Sequence, residues 1–321
     1  MRIANNFINN PNFFDLLIVG AGPAGLTAAI YAQRANLKVA FFEKETPGGK
    51  VVKTSFVENY PGFENISGPD LALNFFQHAT KIGAKFIYGE VIDITKINNI
   101  FHLTTADGTV RYAKAVIIAS GMTERKLNIP GETEYYGRGL SYCAICDGPI
   151  YKNKPVAIIG GGNTAVEEAL YLSSICSKVF LIHRRQEFRA EASLVEKVKK
   201  DSKIELILDT VPISFNGDGK RIVSLTCENV VSKKQQTINV DCIFPFIGFL
   251  PVNSFTKKLE IINPNNGFLE VNADFETKIK GLFVAGDVVN KEIRQISTAI
   301  NDGTIAAINC KKYIDEEFEN V

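Results

Sequence analysis

One strand–turn–helix–strand unit is written twice into this chain. The first copy begins with an apolar strand, Phe14 to Val19, and the glycine turn Gly20-Ala21-Gly22-Pro23-Ala24-Gly25. A helix of small and apolar residues follows, Leu26 to Ala35, then a second strand, Leu37 to Glu43. The second copy has a strand over Pro155 to Ile159, the turn Gly160-Gly161-Gly162-Asn163-Thr164-Ala165, a helix over Ala165 to Ser173 and a strand over Lys178 to Ile182. The first glycine and the end of the second strand are 23 positions apart in both copies, Gly20 to Glu43 and Gly160 to His183, and the copies are offset by 140. In this context the glycines allow a tight turn and a close backbone approach to pyrophosphate. The helix start then offers free N–H groups and a positive dipole end to the phosphates. A fixed offset between matching landmarks points to a duplicated nucleotide-binding fold.

At 321 residues the chain has room for about two domains of roughly 150 residues each. Each half carries a further landmark: the apolar strand Ala115 to Gly121 in one, and Cys242 to Gly248 followed by Pro251 in the other. The segment Gly281 to Val288 reads as a buried strand delivering Asp287 to a loop, with a small-residue helix from Ile296 to about Lys311. The predicted fold class is therefore α/β: two Rossmann-like dinucleotide-binding domains of three-layer ββα type. The second is inserted in the first, with boundaries 1–124, 125–251 and 252–321. Residues 1–12 are Asn-rich and predict a loose arm.

The chemistry differs between the copies. Glu43 closes the first and can accept hydrogen bonds from a ribose. No acid closes the second: His183-Arg184-Arg185 stands there, and Arg189 is expected one helical turn further on. Guanidinium groups grip phosphate in a bidentate fork, so this cluster favours a 2′-phosphate, and hence NADP over NAD. Directly upstream of the second copy lies Cys143-Ala144-Ile145-Cys146-Asp147. A four-thiolate zinc site would need a second ligand pair at short spacing. The other cysteines (Cys176, Cys227, Cys242, Cys310) are scattered singly, as are His78, His102 and His183. A redox pair needs only two sulfurs, with Asp147 beside it to manage a proton. No metal site is expected. The lone cysteines read as small buried hydrophobes, and the pairs Phe13-Phe14, Phe41-Phe42 and Phe75-Phe76 as core.

Net charge is +1, with no long single-sign block, so neither nucleic acid nor an acidic membrane surface is implied. The apolar stretch Leu16 to Ala32 is preceded by Asp15 and broken by Gly20, Gly22, Pro23 and Gly25, which fits a strand, turn and helix better than a targeting segment. No run of 18 apolar residues exists to span a bilayer. The chain reads as soluble and cytoplasmic.

Taken in order, several short stretches make the chain resemble the low-molecular-weight thioredoxin reductases. They are Gly20 to Gly25, Thr46-Pro47-Gly48-Gly49, Val57-Glu58-Asn59-Tyr60-Pro61-Gly62 and Gly137-Arg138-Gly139 before Cys143 to Gly148. They continue with Gly160 to Ala169, His183-Arg184-Arg185-x-x-Phe188-Arg189-Ala190, and Gly286-Asp287-Val288 with Arg294-Gln295. The resemblance implies FAD in the outer domain. Its residues would be Gly20, Gly22, Pro23, Ala24, Gly25, Glu43, Lys44, Gly48, Gly49, Lys50, Asn59, Gly121, Asp287, Val288, Arg294, Gln295 and Ile296. It implies NADPH in the inserted domain, on Gly160, Gly162, Asn163, Thr164, Glu167, His183, Arg184, Arg185 and Arg189. It further implies that Cys146 faces the flavin, that Cys143 exchanges with thioredoxin or a thioredoxin-like protein, that Asp147 is the acid–base group, and that the chain forms a homodimer. Because the dithiol shares a domain with NADPH, that domain is expected to rotate on hinges near 121–126 and 248–254. Lys50 departs from the family, in which glutamine is usual, as does Ile145, in which threonine is common. Two other activities fit parts of this pattern. A dithiol oxidase would not need the second glycine turn, and a redox sensor would be reduced once without sustained flux.

Overall fold

The computed structural model describes residues 10–54 and 56–319, which fall into two compact units. One lies within Met1–Val52, Phe56–Thr123 and Pro251–Val321, the other within Lys53–Ser55 and Glu124–Leu250. Most of the Asn-rich arm lies outside the described residues; Asn10 accepts the Phe13 N–H at 3.0 Å as the chain enters its first strand.

The first unit opens with β1 (Phe13–Val19), α1 (Pro23–Arg34) and β2 (Val39–Glu43). The short strands β3 (Phe56–Val57) and β4 (Ile66–Ser67) pair with each other ahead of α2 (Gly68–Lys81). Then come β5 (Lys85–Tyr88), β6 (Val91–Ile97), β7 (Ile100–Thr105) and β8 (Val110–Ile118). Parallel pairing orders the strands β5-β2-β1-β8, and β7 and β6 extend the same sheet antiparallel from β8. Strand β1 is apolar nearly throughout because both its faces are covered, as parallel sheets require: Leu16, Leu17 and Ile18 are fully buried. One face packs against α1 and the last helix, the other against residues from β6, β7 and the turn Ser254–Leu259. Burying each such side chain is worth roughly 1.5–3 kcal/mol.

The chain leaves this unit through β9 (Met122–Glu124). The second unit contains the single turn α3 (Ala144–Asp147), β10 (Pro155–Gly160), α4 (Asn163–Ile175), β11 (Lys178–Ile182), α5 (Ala192–Lys200) and β12 (Ile204–Ile207). It continues with β13 (Thr210–Gly217), β14 (Ile222–Asn229), β15 (Gln235–Asn239) and β16 (Cys242–Phe246), and the chain returns through β17 (Phe249–Pro251). Its parallel sheet runs β12-β11-β10-β16, and a separate antiparallel meander, β13-β14-β15, covers the face opposite α4 and α5. The layers are thus helix, sheet and meander. Back in the first unit, β18 (Leu282–Val284) adds parallel to β8, and α6 (Ile296–Ile314) packs so close to α1 that a Cβ on Gly303 would fall 2.2 Å from the Ala24 carbonyl oxygen. The two crossings, β9 and β17, pair as one two-stranded ribbon.

Both glycine turns begin their helices earlier than the apolar pattern suggests, at Pro23 and Asn163. Proline is pre-set for a first helical turn, where its missing N–H costs nothing. The four single cysteines are buried, Phe13, Phe14, Phe41 and Phe42 are buried, and Phe75 and Phe76 pack against the core. Burial pushes the Cys176 thiol up to about 11 and the Cys227 thiol up to about 12, so neither is a thiolate near neutral pH.

Candidate active site: a dithiol and two glycine turns

Cys143 and Cys146 form a disulfide, with Cα atoms 5.3 Å apart. The pair is set by local bonding. Cys143 caps the single turn α3, its sulfur accepting the Cys146 N–H at 3.2 Å, and its own N–H goes to Ser141 Oγ at 3.0 Å. The Asp147 N–H closes the turn on the Cys143 carbonyl at 3.2 Å. Cys143 is buried, whereas Cys146 is exposed. Behind the pair, the carboxylate of Glu132, itself only 4% exposed, accepts the Leu127 and Asn128 N–H groups and the Tyr142 hydroxyl at 2.6 Å. Desolvation first, and the Glu132 bond second, push the Tyr142 hydroxyl well above the ordinary phenol range, so it stays a donor. Neither Glu132 nor Ser141 was readable as part of this setting, because nothing local marks them.

In the first unit, Gly20 sits at φ +110°, and a Cβ there would lie 2.3 Å from the Ala119 carbonyl oxygen. A Cβ on Gly25 would lie 2.0 Å from the Gly20 oxygen. Gly22 caps α1 without any side-chain cap, so the first N–H groups of that helix are not taken by its own cap. Gly49, at φ +60°, brings its backbone against Gly22, and Gly48 N–H bonds to the Ala21 carbonyl at 2.7 Å. Glu43 accepts Ala21 N–H on one oxygen at 3.1 Å, and Lys44 and Glu45 N–H on the other at 2.8 and 3.0 Å. Lys50 pairs with Asp287 at 2.6 Å, while Lys44 pairs with Glu90. The Asp287 turn is itself braced: Gly286 N–H donates to Asp302 at 3.0 Å, and Arg294 donates to the Asp287 carbonyl at 3.2 Å. Desolvation raises the Asp302 carboxyl, against the pull of Lys291 beside it. Asp302 was not anticipated; its one signal is an acid within a helix of small residues. Val288 is buried, Asn59 donates to Gln295 at 3.4 Å, and Gln295 forms a capping box for α6, which begins at Ile296. Gly121 stands apart, at φ +63° with no neighbour to a Cβ, its carbonyl taking the Val252 N–H.

In the second unit, Gly160 sits at φ +154° and Gly162 caps α4, again with no side-chain cap. Asn163, Thr164 and Glu167 form the outward first turns of that helix. Arg184, Arg185 and Arg189 are exposed, and His183 is buried. The expected helical turn to Arg189 is not there: α5 starts only at Ala192. The loop's groups bond outward instead of along an i→i−4 ladder. Arg189 N–H goes to the Gly161 carbonyl at 2.8 Å, and His183 Nε2 meets the Glu187 carbonyl at 3.1 Å. Burial lowers the His183 imidazole below its ordinary range, and the three nearby guanidinium groups lower it further, opposed by the Glu187 bond.

Two uncapped helix starts behind glycine turns, and one dithiol, match a known architecture from end to end. Residues 14–303 match the family described as pyridine nucleotide-disulphide oxidoreductase. The thioredoxin reductase of Mycoplasma genitalium is 46% identical over 298 residues, 93% of this chain and 94% of that protein. The chain belongs to the thioredoxin reductase family. Among solved structures, Lactococcus lactis thioredoxin reductase in the FR conformation superposes with a TM-score of 0.90 at 39% identity, over 94% of this chain and 99% of that one. The T. acidophilum thioredoxin reductase gives 0.88 at 35% identity, over 95% and 99%. Membership of this family implies the use of a flavin and a nicotinamide cofactor. Among the described residues no helix is long and apolar enough to cross a membrane.

Proposed function

We propose that this chain reduces the disulfide of thioredoxin, or of a thioredoxin-like protein, at the expense of NADPH, working as a cytoplasmic homodimer. The observation that carries the reading is the Cys143–Cys146 disulfide, built into the same unit as the second glycine turn. FAD fits the first unit. Gly22 opens α1 without a side-chain cap, which leaves the helix start to a pyrophosphate, Glu43 stands ready for a ribose, and Lys50, Asn59, Asp287 and Arg294 to Ile296 border the same turn. NADPH fits the second unit, with Gly160 to Glu167 under its pyrophosphate and Arg184, Arg185 and Arg189 for its 2′-phosphate. When bound, the nicotinamide and the flavin supply the electron pair that opens the Cys143–Cys146 disulfide.

The chain's own residues do the rest. A Cys143 thiolate attacks one sulfur of the partner's disulfide; that bond breaks, and the displaced partner sulfur leaves as thiolate. Cys146 thiolate then attacks Cys143 in the mixed disulfide, releasing the second partner sulfur and restoring the internal bond. Asp147, the residue directly after Cys146, moves the proton that each cycle must shift. Cys143 is 8% exposed, so exchange requires that it be uncovered. The second unit is expected to rotate on hinges near 121–126 and 248–254 during the cycle. Locking the two units together with a cross-link should stop turnover.

The test is NADPH oxidation by the purified yellow protein with thioredoxin, beside Cys146→Ser. Thioredoxin-dependent flux should fall by roughly 10³-fold or more in the variant, with flavin content unchanged. NADPH-driven flavin reduction without flux to thioredoxin would discard the substrate, and a single reduction without turnover would favour a sensor.

A further inference from the structure

The arginine loop of the second unit is built as a rigid part. Its start is fixed by His183, whose N–H bonds to the Ile207 carbonyl at 2.9 Å and whose ring stacks on Phe188 with centroids 5.1 Å apart. The ring also fills the space over Gly161, where a Cβ would fall 2.2 Å from the imidazole. Its middle is tied by Gln186 to Asp209. Its end is held by one side chain on α4. Asn163 Oδ1 accepts the Glu191 N–H at 2.9 Å, and Asn163 Nδ2 donates to Glu191 Oε1 at 3.2 Å. Asn163 is the first residue of α4, immediately after the turn that would carry pyrophosphate. The paired bonds therefore tie the end of the arginine loop to the start of the phosphate-binding helix.

We infer that Asn163 and Glu191 are a positioning latch that sets the register of Arg184, Arg185 and Arg189 over the glycine turn, and so sets the preference for a 2′-phosphorylated dinucleotide. The inference rests on the reading of the second unit as the NADPH site. A loop of three exposed cations that had to be ordered on binding would lose affinity to that ordering, and a loop ordered beforehand does not. The latch costs nothing to a ligand without the 2′-phosphate, because only the guanidinium groups depend on its register. Glu191 is itself exposed and bonds the side chain of Asn163, not the N–H groups of the helix start, so it acts through the arginines.

The experiment uses the full-length, flavin-loaded protein and titrates adenosine 2′,5′-bisphosphate, AMP, NADPH and NADH by calorimetry. Glu191→Ala removes the acceptor for Asn163 Nδ2; Glu191→Gln keeps it. In Glu191→Ala the bisphosphate and NADPH should bind about fivefold more weakly, the equivalent of one lost hydrogen bond, while AMP and NADH change less than about twofold. Glu191→Gln should stay within about twofold of the parent for all four ligands. Flavin content and melting temperature report that the variants are folded. The latch is overturned if Glu191→Ala leaves the bisphosphate-to-AMP ratio unchanged, or if Glu191→Gln loses as much as Glu191→Ala. If the parent shows no preference for the 2′-phosphate, the NADPH reading of this unit fails, and the latch with it.

Discussion

In the first unit the strand after the glycine turn ends on Glu43, whose two oxygens hold the N–H groups of Ala21, Lys44 and Glu45. In the second unit the matching position is His183, turned inward, and the residues beyond it form a loop of exposed guanidinium groups. The backbone turns are alike: a glycine at positive φ, an uncapped helix start, a parallel strand on the far side. A pyrophosphate would be met the same way by both. What differs is the sign of the charge two dozen residues on. On the function proposed here, the turn selects a dinucleotide in general, and the end of the following strand selects which one.

The comparison can be broken at the closing position of each turn. Gly25 and Ala165 correspond, yet a methyl at 25 would meet the Gly20 carbonyl oxygen at 2.0 Å, while Ala165 already carries one beside Gly160. Gly25→Ala should destabilise the first unit by about 3 kcal/mol and cut flavin content sharply. Ala165→Gly should cost about 1 kcal/mol and leave flavin in place. Denaturation curves and the absorbance of the purified protein check both; equal effects would mean that the turns are interchangeable.

Next in size is the basic loop. Arg184→Gln with Arg185→Gln should weaken NADPH about 100-fold and NADH by much less, since two charged bonds to one phosphate are lost. Titration at two salt concentrations reads this directly, as the parent's preference should shrink with added salt. A smaller effect comes from Gly161→Ala. Its Cβ would press on the His183 ring and shift the loop, weakening NADPH about tenfold by displacement alone, with FAD retained.

The smallest effect is that of pH. The folded protein disfavours protonation of His183, so the unfolded chain takes up the proton first. Stability from this group is therefore complete above its ordinary value, about 6.5, and is lost as pH falls through that value. His183→Asn, melted at pH 7.5 and pH 5.5, should lose less stability on acidification than the parent. An equal loss would place the acid sensitivity elsewhere, for example in the first unit.

Much of this was legible in the residues themselves. A duplicated fold, the two turns, the redox pair and the charge contrast between Glu43 and Arg184-Arg185 all follow from local spacing, because each is a short-range pattern of glycine, apolar and charged positions. The glycine turns even carry their own reason, since only glycine tolerates the backbone approach at Gly20 and Gly25. Three things were decided only by the assembled chain. The Arg189 segment is a stitched loop and not a helical turn, because its N–H groups find Gly161 and Asn163 before they find their own carbonyls. Lys50 lies against Asp287, 237 positions away in sequence. Asp302 and Glu132, buried carboxylates with backbone donors at hand, brace the Asp287 turn and the segment leading to the dithiol from elements that no motif marks. Sequence patterns report which groups share a turn or a face; a bond between distant segments exists only once packing has brought its two halves together.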